Sequence, residues 1–154
     1  MSDSSLRDAA LRRFHTYVTF DTQSDENSET YPSTAMQLEL LKHLQKELKE
    51  IGLKNAEMDE HGYVFATIPA TTKKARVPVI GFIAHVDTSP EMPGGGVKPI
   101  VHKNYKGQDL VLPDHPQATV KFKDNPALAD QIGCDIVTAS GTTLLGADNK
   151  SGVA

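Results

Sequence analysis

Cysteine is nearly absent from this sequence, since Cys134 is its only one. A single thiol excludes an intrachain disulfide and a zinc site built from several thiolates. No histidine neighbours Cys134 in an arrangement that would predict a nucleophile. We therefore expect Cys134 to be a small, buried or half-buried side chain without a chemical role.

Long apolar runs and basic runs are also missing. No stretch stays apolar over the roughly 20 residues that a bilayer span needs, and the segment after Met1 lacks the apolar core of a signal peptide. The formal net charge is -4, with lysine and arginine scattered along the chain. These absences argue against a membrane protein and against a nucleic-acid partner. They make the cytoplasm the expected compartment.

The residues that are present have the balance of a globular protein of one ordinary domain. The chain has 154 residues, of which 38% are hydrophobic and 23% charged. Apolar residues at helical spacing predict one helix over residues 6–17. A second helix is predicted to begin at Ser33 or Thr34 and to end at Gly52. Its predicted core-facing stripe consists of Leu41, Leu44, Leu48 and Ile51.

Strand patterns alternate with these helices along the rest of the chain. Residues 54–59 and 63–68 predict a β-hairpin that turns at His61 and Gly62. Residues 77–84 are almost continuously apolar, which is typical of a central strand buried on both faces of an α/β sheet. Shorter strands are predicted at 97–101, 109–112, 119–122, 135–139 and 143–145. The pattern therefore predicts an α/β fold.

Three residues with metal-binding or acid–base chemistry directly follow predicted strands. His85 and Asp87 follow residues 77–84, and Asp148 follows 143–145. Ligands gather at the carboxyl ends of strands in open α/β sheets, and an extended chain would point His85 and Asp87 the same way. Neutral imidazole is a good zinc ligand whose tautomer a carboxylate fixes. An aspartate has two oxygens, so it can bridge two metal ions about 3.5–4 Å apart.

Each of these residues also has an ordinary structural explanation. A histidine two residues before an aspartate is more often a hydrogen-bonded surface residue, and a lone aspartate before a helix is more often its N-cap. The run Gly94-Gly95-Gly96 indicates a flexible turn near the site and not a phosphate loop. The three residues alone leave both interpretations open.

The sequence around these residues resembles a known family. Residues 83–90 (IAHVDTSP) and 143–154 (TLLGADNKSGVA) resemble the two metal-binding segments of the M20 metallopeptidases. Residues 14–24, 97–101 and 104–110 resemble the branch of that family that acts on tripeptides. The resemblance covers essentially the whole chain.

The resemblance implies a zinc exopeptidase with a mixed-sheet, three-layer α/β catalytic domain. Residues 1–154 would be the N-terminal part of that domain, without the lid and dimerisation domain. The complete site would hold two Zn2+ ions. His85 would bind one ion, Asp148 would bridge both, and Asp87 would be catalytic by orienting His85. Asn149 stands where the branch often has an aspartate, and the Asp148–Asn149 peptide bond would be cis.

The implied activity is the release of the N-terminal residue from tripeptides by a cytoplasmic enzyme that forms a homodimer. In the family, the general-base glutamate and the remaining ligands follow the bridging aspartate, but nothing acidic follows Asp148 here. We therefore expect a truncated chain that is inactive alone, binds zinc weakly and is poorly soluble. Two alternatives stay open: another M20 hydrolase, such as a dipeptidase or N-acyl amino acid deacylase, or a non-catalytic remnant or binding module.

Overall fold

Three helices and four short strands make up a small mixed α/β structure. The computed structural model describes residues 3–154, with side chains from Ser5 onward. The helices are α1 (Asp3–Tyr17), α2 (Gln37–Glu50) and α3 (Ala147–Val153), and the strands are β1 (Glu57–Met58), β2 (Val64–Phe65), β3 (Ile100–His102) and β4 (Ile136–Thr138). Two 3-10 helices, Phe122–Asp124 and Pro126–Gln131, lie between β3 and β4. The α/β class is therefore confirmed at this coarse level.

The second helix begins later than its sequence predicts. The start at Ser33 or Thr34 is wrong, because α2 begins at Gln37. The Gln37 side-chain amide donates to both hydroxyls at 3.1 Å, so they pair with a side chain and do not cap the backbone. The predicted end is confirmed, since Gly52 follows the helix with a left-handed φ of 110°. Within residues 3–154, no helix is both long and apolar enough to cross a bilayer.

The core consists of two apolar clusters, and α1 contributes one residue to each. One cluster consists of Tyr17, Leu40, Leu44 and Val86, and the other of Phe14, Val18 and Val97. The predicted stripe on α2 is therefore partly wrong: Leu40 is completely buried, whereas Ile51 is 55% exposed. The residues that bury this helix face come from α1 and from the segment around Val86.

Two separate antiparallel pairs replace the larger predicted sheet. Strands β1 and β2 form the predicted hairpin, with Gly62 at a φ of 88° in the turn. Strand β3 pairs with β4 over three residues, and Leu110 and Val120 form a single bridge. The predicted strand at 143–145 does not form, and Cys134 is exposed, contrary to expectation.

The predicted central strand at residues 77–84 is also not formed. Val79, Phe82 and Ile83 are 99%, 96% and 99% exposed, respectively. A buried strand needs hydrogen-bonding neighbours and apolar layers on both faces. None of the strands that residues 3–154 form pairs with this segment. Residues 77–84 therefore have the composition of a central strand but pair with none of the described strands.

We expect Phe82→Ser to raise solubility and to lower the binding of an apolar dye. Phe82 contributes exposed apolar surface, so the unfolding free energy should change by less than about 0.5 kcal/mol. Phe14→Ser is the matched control, because Phe14 is 8% exposed and belongs to the core. Urea unfolding checks both variants. Equal destabilisation by the two substitutions would contradict this assignment of Phe82.

A charged network joins α1 to α2. The Tyr17 hydroxyl donates to one carboxylate oxygen of Glu47 at 2.5 Å, and Arg13 Nε donates to the other at 2.8 Å. Burial raises the pKa of Glu47, but these two hydrogen bonds outweigh burial and hold that pKa below its ordinary 4.5. Burial and the bond to Glu47 raise the pKa of Tyr17 above its usual range. The carboxylate therefore stabilises the helix pair in its charged form.

We expect Glu47→Gln to make the unfolding free energy less dependent on acid pH. A carboxyl with a depressed folded pKa stabilises above its unfolded pKa, near 4.5, and this stability is lost as pH falls through the lower folded value. The variant should therefore be less stable by roughly 1–2 kcal/mol at neutral pH, with the difference closing in acid. Glu50→Gln on the exposed face is the control for urea unfolding at both pH values. A pH-independent difference would be inconsistent with this role of Glu47.

Candidate metal centre

The first half of the candidate site is the short segment of residues 85–88. Its side chains alternate: Val86 and Thr88 are 8% and 3% exposed, while His85 and Asp87 face outward. Val86 packs into the core cluster with Tyr17 and Leu40. The expectation that His85 and Asp87 point the same way is confirmed, because their side chains are hydrogen-bonded to each other.

Residues 22–24 hold this segment in place through hydrogen bonds. The Thr22 hydroxyl donates to the Val86 carbonyl at 2.6 Å, and the Thr88 amide donates to the Thr22 carbonyl at 3.1 Å. The Ser24 amide then donates to the Thr88 carbonyl at 2.9 Å. Thr22 is completely buried, so its hydroxyl has this carbonyl as its partner away from solvent. The backbone that carries His85 is therefore fixed on the interior side.

The second half is the turn that opens α3. Gly146 adopts a left-handed φ of 74°, and the Asp148–Asn149 peptide bond is cis, as the resemblance implied. A side chain at Gly152 would require the amide of Asn149 to move aside. Asp148 itself has a non-helical backbone, and its side chain is 91% exposed. Its carboxylate projects from the turn towards His85.

The imidazole of His85 lies between two carboxylates. Nδ1 is 3.0 Å from Oδ1 of Asp87, and Nε2 is 3.1 Å from Oδ1 of Asp148. A carboxylate can only accept, so both hydrogen bonds form together only when the ring carries two protons. Burial lowers the pKa of His85, but the bonds to Asp148 and Asp87 outweigh it and raise that pKa above its ordinary value. The arrangement concentrates negative charge around one imidazole.

A buried lysine lies close to the Asp148 turn. Lys150 is 1% exposed, and its ammonium donates to the Phe20 carbonyl at 2.9 Å. Burial lowers the pKa of Lys150 to about 8, and the charge of Asp21 acts in the opposite direction. Sequence reasoning did not single out Lys150. The only signal was its place two residues after Asp148, which does not reveal burial.

The three-glycine run also packs against this region. A Cβ at Gly94 would lie 2.6 Å from the Thr88 hydroxyl oxygen, and one at Gly95 would lie 2.8 Å from Oδ2 of Asp21. The expected turn near the site is therefore present, and its glycines allow a close approach of the backbone to Asp21 and Thr88. The Thr88 hydroxyl is buried and makes no hydrogen bond with another described residue.

Two of the three predicted site residues are available as metal ligands in this geometry. Asp87 is bonded to Nδ1, which leaves Nε2 of His85 and the carboxylate of Asp148. Among the side chains described, which begin at Ser5, no group of three or more from histidine, cysteine, aspartate or glutamate is arranged to hold a metal ion. The other histidines lie elsewhere; His102, for example, pairs with Thr138, and His43 contacts the rings of Tyr17 and Phe20.

Comparison with known proteins gives the class first: the curated relatives of this chain are peptidases. They carry the name peptidase T. The chain is 49% identical over 149 residues to peptidase T of Geobacillus sp. (strain WCH70), covering 97% of this chain and 36% of the relative. It is 51% identical over 144 residues to peptidase T of Clostridium acetobutylicum, covering 94% of this chain and 35% of the relative. No protein-family model matches the chain.

The chain is therefore similar to peptidase T along the part of those proteins that it covers. It spans about 36% of the length of the curated relatives it matches. The matches take in 94–97% of this chain, so the similarity extends over almost its whole length.

We expect Thr22→Val to destabilise the chain by about 1–3 kcal/mol, because it leaves the Val86 carbonyl unpaired in the interior. Thr19→Val is the matched control: its hydroxyl also donates to a backbone carbonyl, but at an exposed position. Urea unfolding of both variants gives the comparison. If Thr22→Val cost no more than Thr19→Val, residues 22–24 would not hold the His85 segment as described.

Proposed function

We propose that this chain is part of a zinc-dependent aminopeptidase that releases the N-terminal residue from tripeptides. The observation that carries the proposal is the approach of Nε2 of His85 to Oδ1 of Asp148 at 3.1 Å. These two side chains come from the two segments that resemble the metal-binding segments of M20 metallopeptidases, in a chain that is similar to peptidase T.

The donor set fits zinc. Zinc in proteins is bound by imidazole nitrogens and carboxylate oxygens. One donor of each kind is present here, because Nε2 of His85 lies next to Oδ1 of Asp148. Both side chains are accessible, with exposures of 51% for His85 and 91% for Asp148. In the proposal His85 would hold one zinc ion, and Asp148 would be shared between two ions.

The role of Asp87 follows from its position on Nδ1. With the proton on Nδ1 donated to Asp87, the imidazole keeps the tautomer whose Nε2 lone pair faces Asp148. Asp87 also fixes the orientation of the ring, because the bond prevents its rotation. When bound, zinc supplies a Lewis acid that polarises a peptide carbonyl and activates water. In this proposal the contribution of Asp87 to catalysis is orientation of His85.

Two donors are fewer than the three or four protein ligands of an ordinary zinc site. We propose that residues 1–154 are the N-terminal part of a three-layer M20 catalytic domain, and that the remaining ligands and the general-base glutamate lie in the part of the relatives that this chain does not cover. The exposed apolar segment at 77–84 supports this, because it has the composition of a central strand without its neighbours. The complete cytoplasmic homodimer would act on short peptides.

A hybrid enzyme tests the proposal. Residues 1–154 replace the matching segment of Clostridium acetobutylicum peptidase T, to which they are 51% identical. We expect this hybrid to hydrolyse tripeptides in the presence of zinc, and the isolated chain to release no product. His85→Ala and Asp148→Ala should each abolish the activity of the hybrid, because each removes a zinc ligand. His61→Ala, at an exposed turn, is the control and should leave the activity unchanged.

The same hybrid tests whether Asp87 orients His85 or binds zinc itself. Asp87→Asn should lower kcat/KM by about 10–100-fold while zinc stays bound, as expected when a partner of a metal-binding histidine is lost. Glu91→Gln, a nearby exposed glutamate, is the matched control. Activity on dipeptides or N-acyl amino acids but not on tripeptides would contradict the proposal that tripeptides are the substrate. A folded, zinc-loaded hybrid without any of these activities would support a non-catalytic role.

A further inference from the structure

We propose that Lys150 is a positioning residue whose buried ammonium anchors the Asp148 turn to the segment that also holds His85. The inference deepens the proposed function, because it explains how the two candidate ligands are kept facing each other. It concerns the arrangement of the two side chains before any metal binds.

The first support is the burial of a charged group with a specific backbone partner. Lys150 is 1% exposed, although lysine is almost never fully buried without a partner. Its ammonium donates to the Phe20 carbonyl across 130 residues of sequence. Among the side chains described from Ser5 onward, no carboxylate forms a salt bridge with it, although the charge of Asp21 is near enough to favour the ammonium form. The bond to the Phe20 carbonyl is therefore the principal fixed contact of this cation.

The second support is the segment to which Lys150 is attached. Phe20 lies two residues before Thr22, which is hydrogen-bonded to the backbone at Val86 and Thr88. Residues 20–24 are therefore bonded to both arms of the site: to the His85 arm through Thr22 and to the Asp148 arm through Lys150. One short segment sets the distance between the two arms.

The third support is the exposure of Asp148. Its side chain is 91% exposed, so it has almost no packing of its own to fix its position. Its backbone is non-helical, and only Asn149 separates it from Lys150. Gly146, on the other side of Asp148, brings the chain close to Lys150, because a Cβ there would lie 3.5 Å from the lysine Cδ. Lys150 is therefore the buried residue nearest in sequence to Asp148.

Nitrogen-15 NMR of the His85 imidazole tests this role in the 154-residue chain without zinc or substrate. The Phe82→Ser background is used to limit aggregation. In the chain with Lys150 intact, we expect separate ring-nitrogen signals that report the contacts with Asp87 and Asp148. Lys150→Met keeps the side-chain length but removes the donor. We expect it to shift the Nε2 signal towards that of the exposed His61 while the Nδ1 signal changes little.

Two control variants distinguish positioning from a general loss of stability. Leu110→Ala removes a buried side chain outside both core clusters, and Lys42→Met removes an exposed lysine charge. Neither should move the Nε2 signal of His85. An unchanged Nε2 signal in Lys150→Met, or the same shift in Leu110→Ala, would overturn the inference.

A measurement on the unsubstituted lysine keeps the inference testable if Lys150→Met does not fold. The ammonium protons of Lys150 should exchange slowly with water and show a hydrogen-bond coupling to the Phe20 carbonyl. Rapid exchange, like that of the exposed lysines, would overturn the inference. Because no zinc or peptide is present, either result is independent of the hybrid assay: an inactive hybrid would refute the proposed function and leave the anchoring result standing.

Discussion

The hydrogen bonds between residues 22–24 and 86–88 are the constraint on which both the site and the core depend. They fix an extended segment in which every second side chain faces the interior. Val86 then packs into the core with Tyr17 and Leu40, while His85 and Asp87 are left on the outer surface. The same bonds therefore determine the burial of an apolar residue and the orientation of a candidate metal ligand.

The site joins segments that are far apart in sequence and have little packing of their own. His85 and Asp148 are both accessible, so neither is held by close packing around its side chain. Their positions come from the backbone beneath them, which is tied down by buried groups such as Thr22 and Lys150. An accessible ligand pair on a buried polar support is suited to a metal centre, which needs open positions for substrate as well as fixed donors.

The sequence predicts the local features of this molecule well, because they depend on nearby residues. The two long helices, the turn at Gly62 and the alternation at residues 85–88 follow from short-range patterns. The failures concern long-range partners. Residues 77–84 have the composition of a central strand, but composition cannot supply the neighbouring strands, and the segment is exposed. The burial of Lys150 could not be predicted from nearby residues either, because its hydrogen-bond partner is the carbonyl of Phe20, 130 residues earlier.

The most direct test of this account is a zinc-edge anomalous diffraction map of the hybrid peptidase T that carries residues 1–154. The account predicts zinc within about 2.0–2.2 Å of Nε2 of His85 and of a carboxylate oxygen of Asp148. It also predicts that Asp87 contacts Nδ1 of the same ring and does not bind the metal. Zinc bound by other residues, with His85 and Asp148 still paired only to each other, would contradict the account.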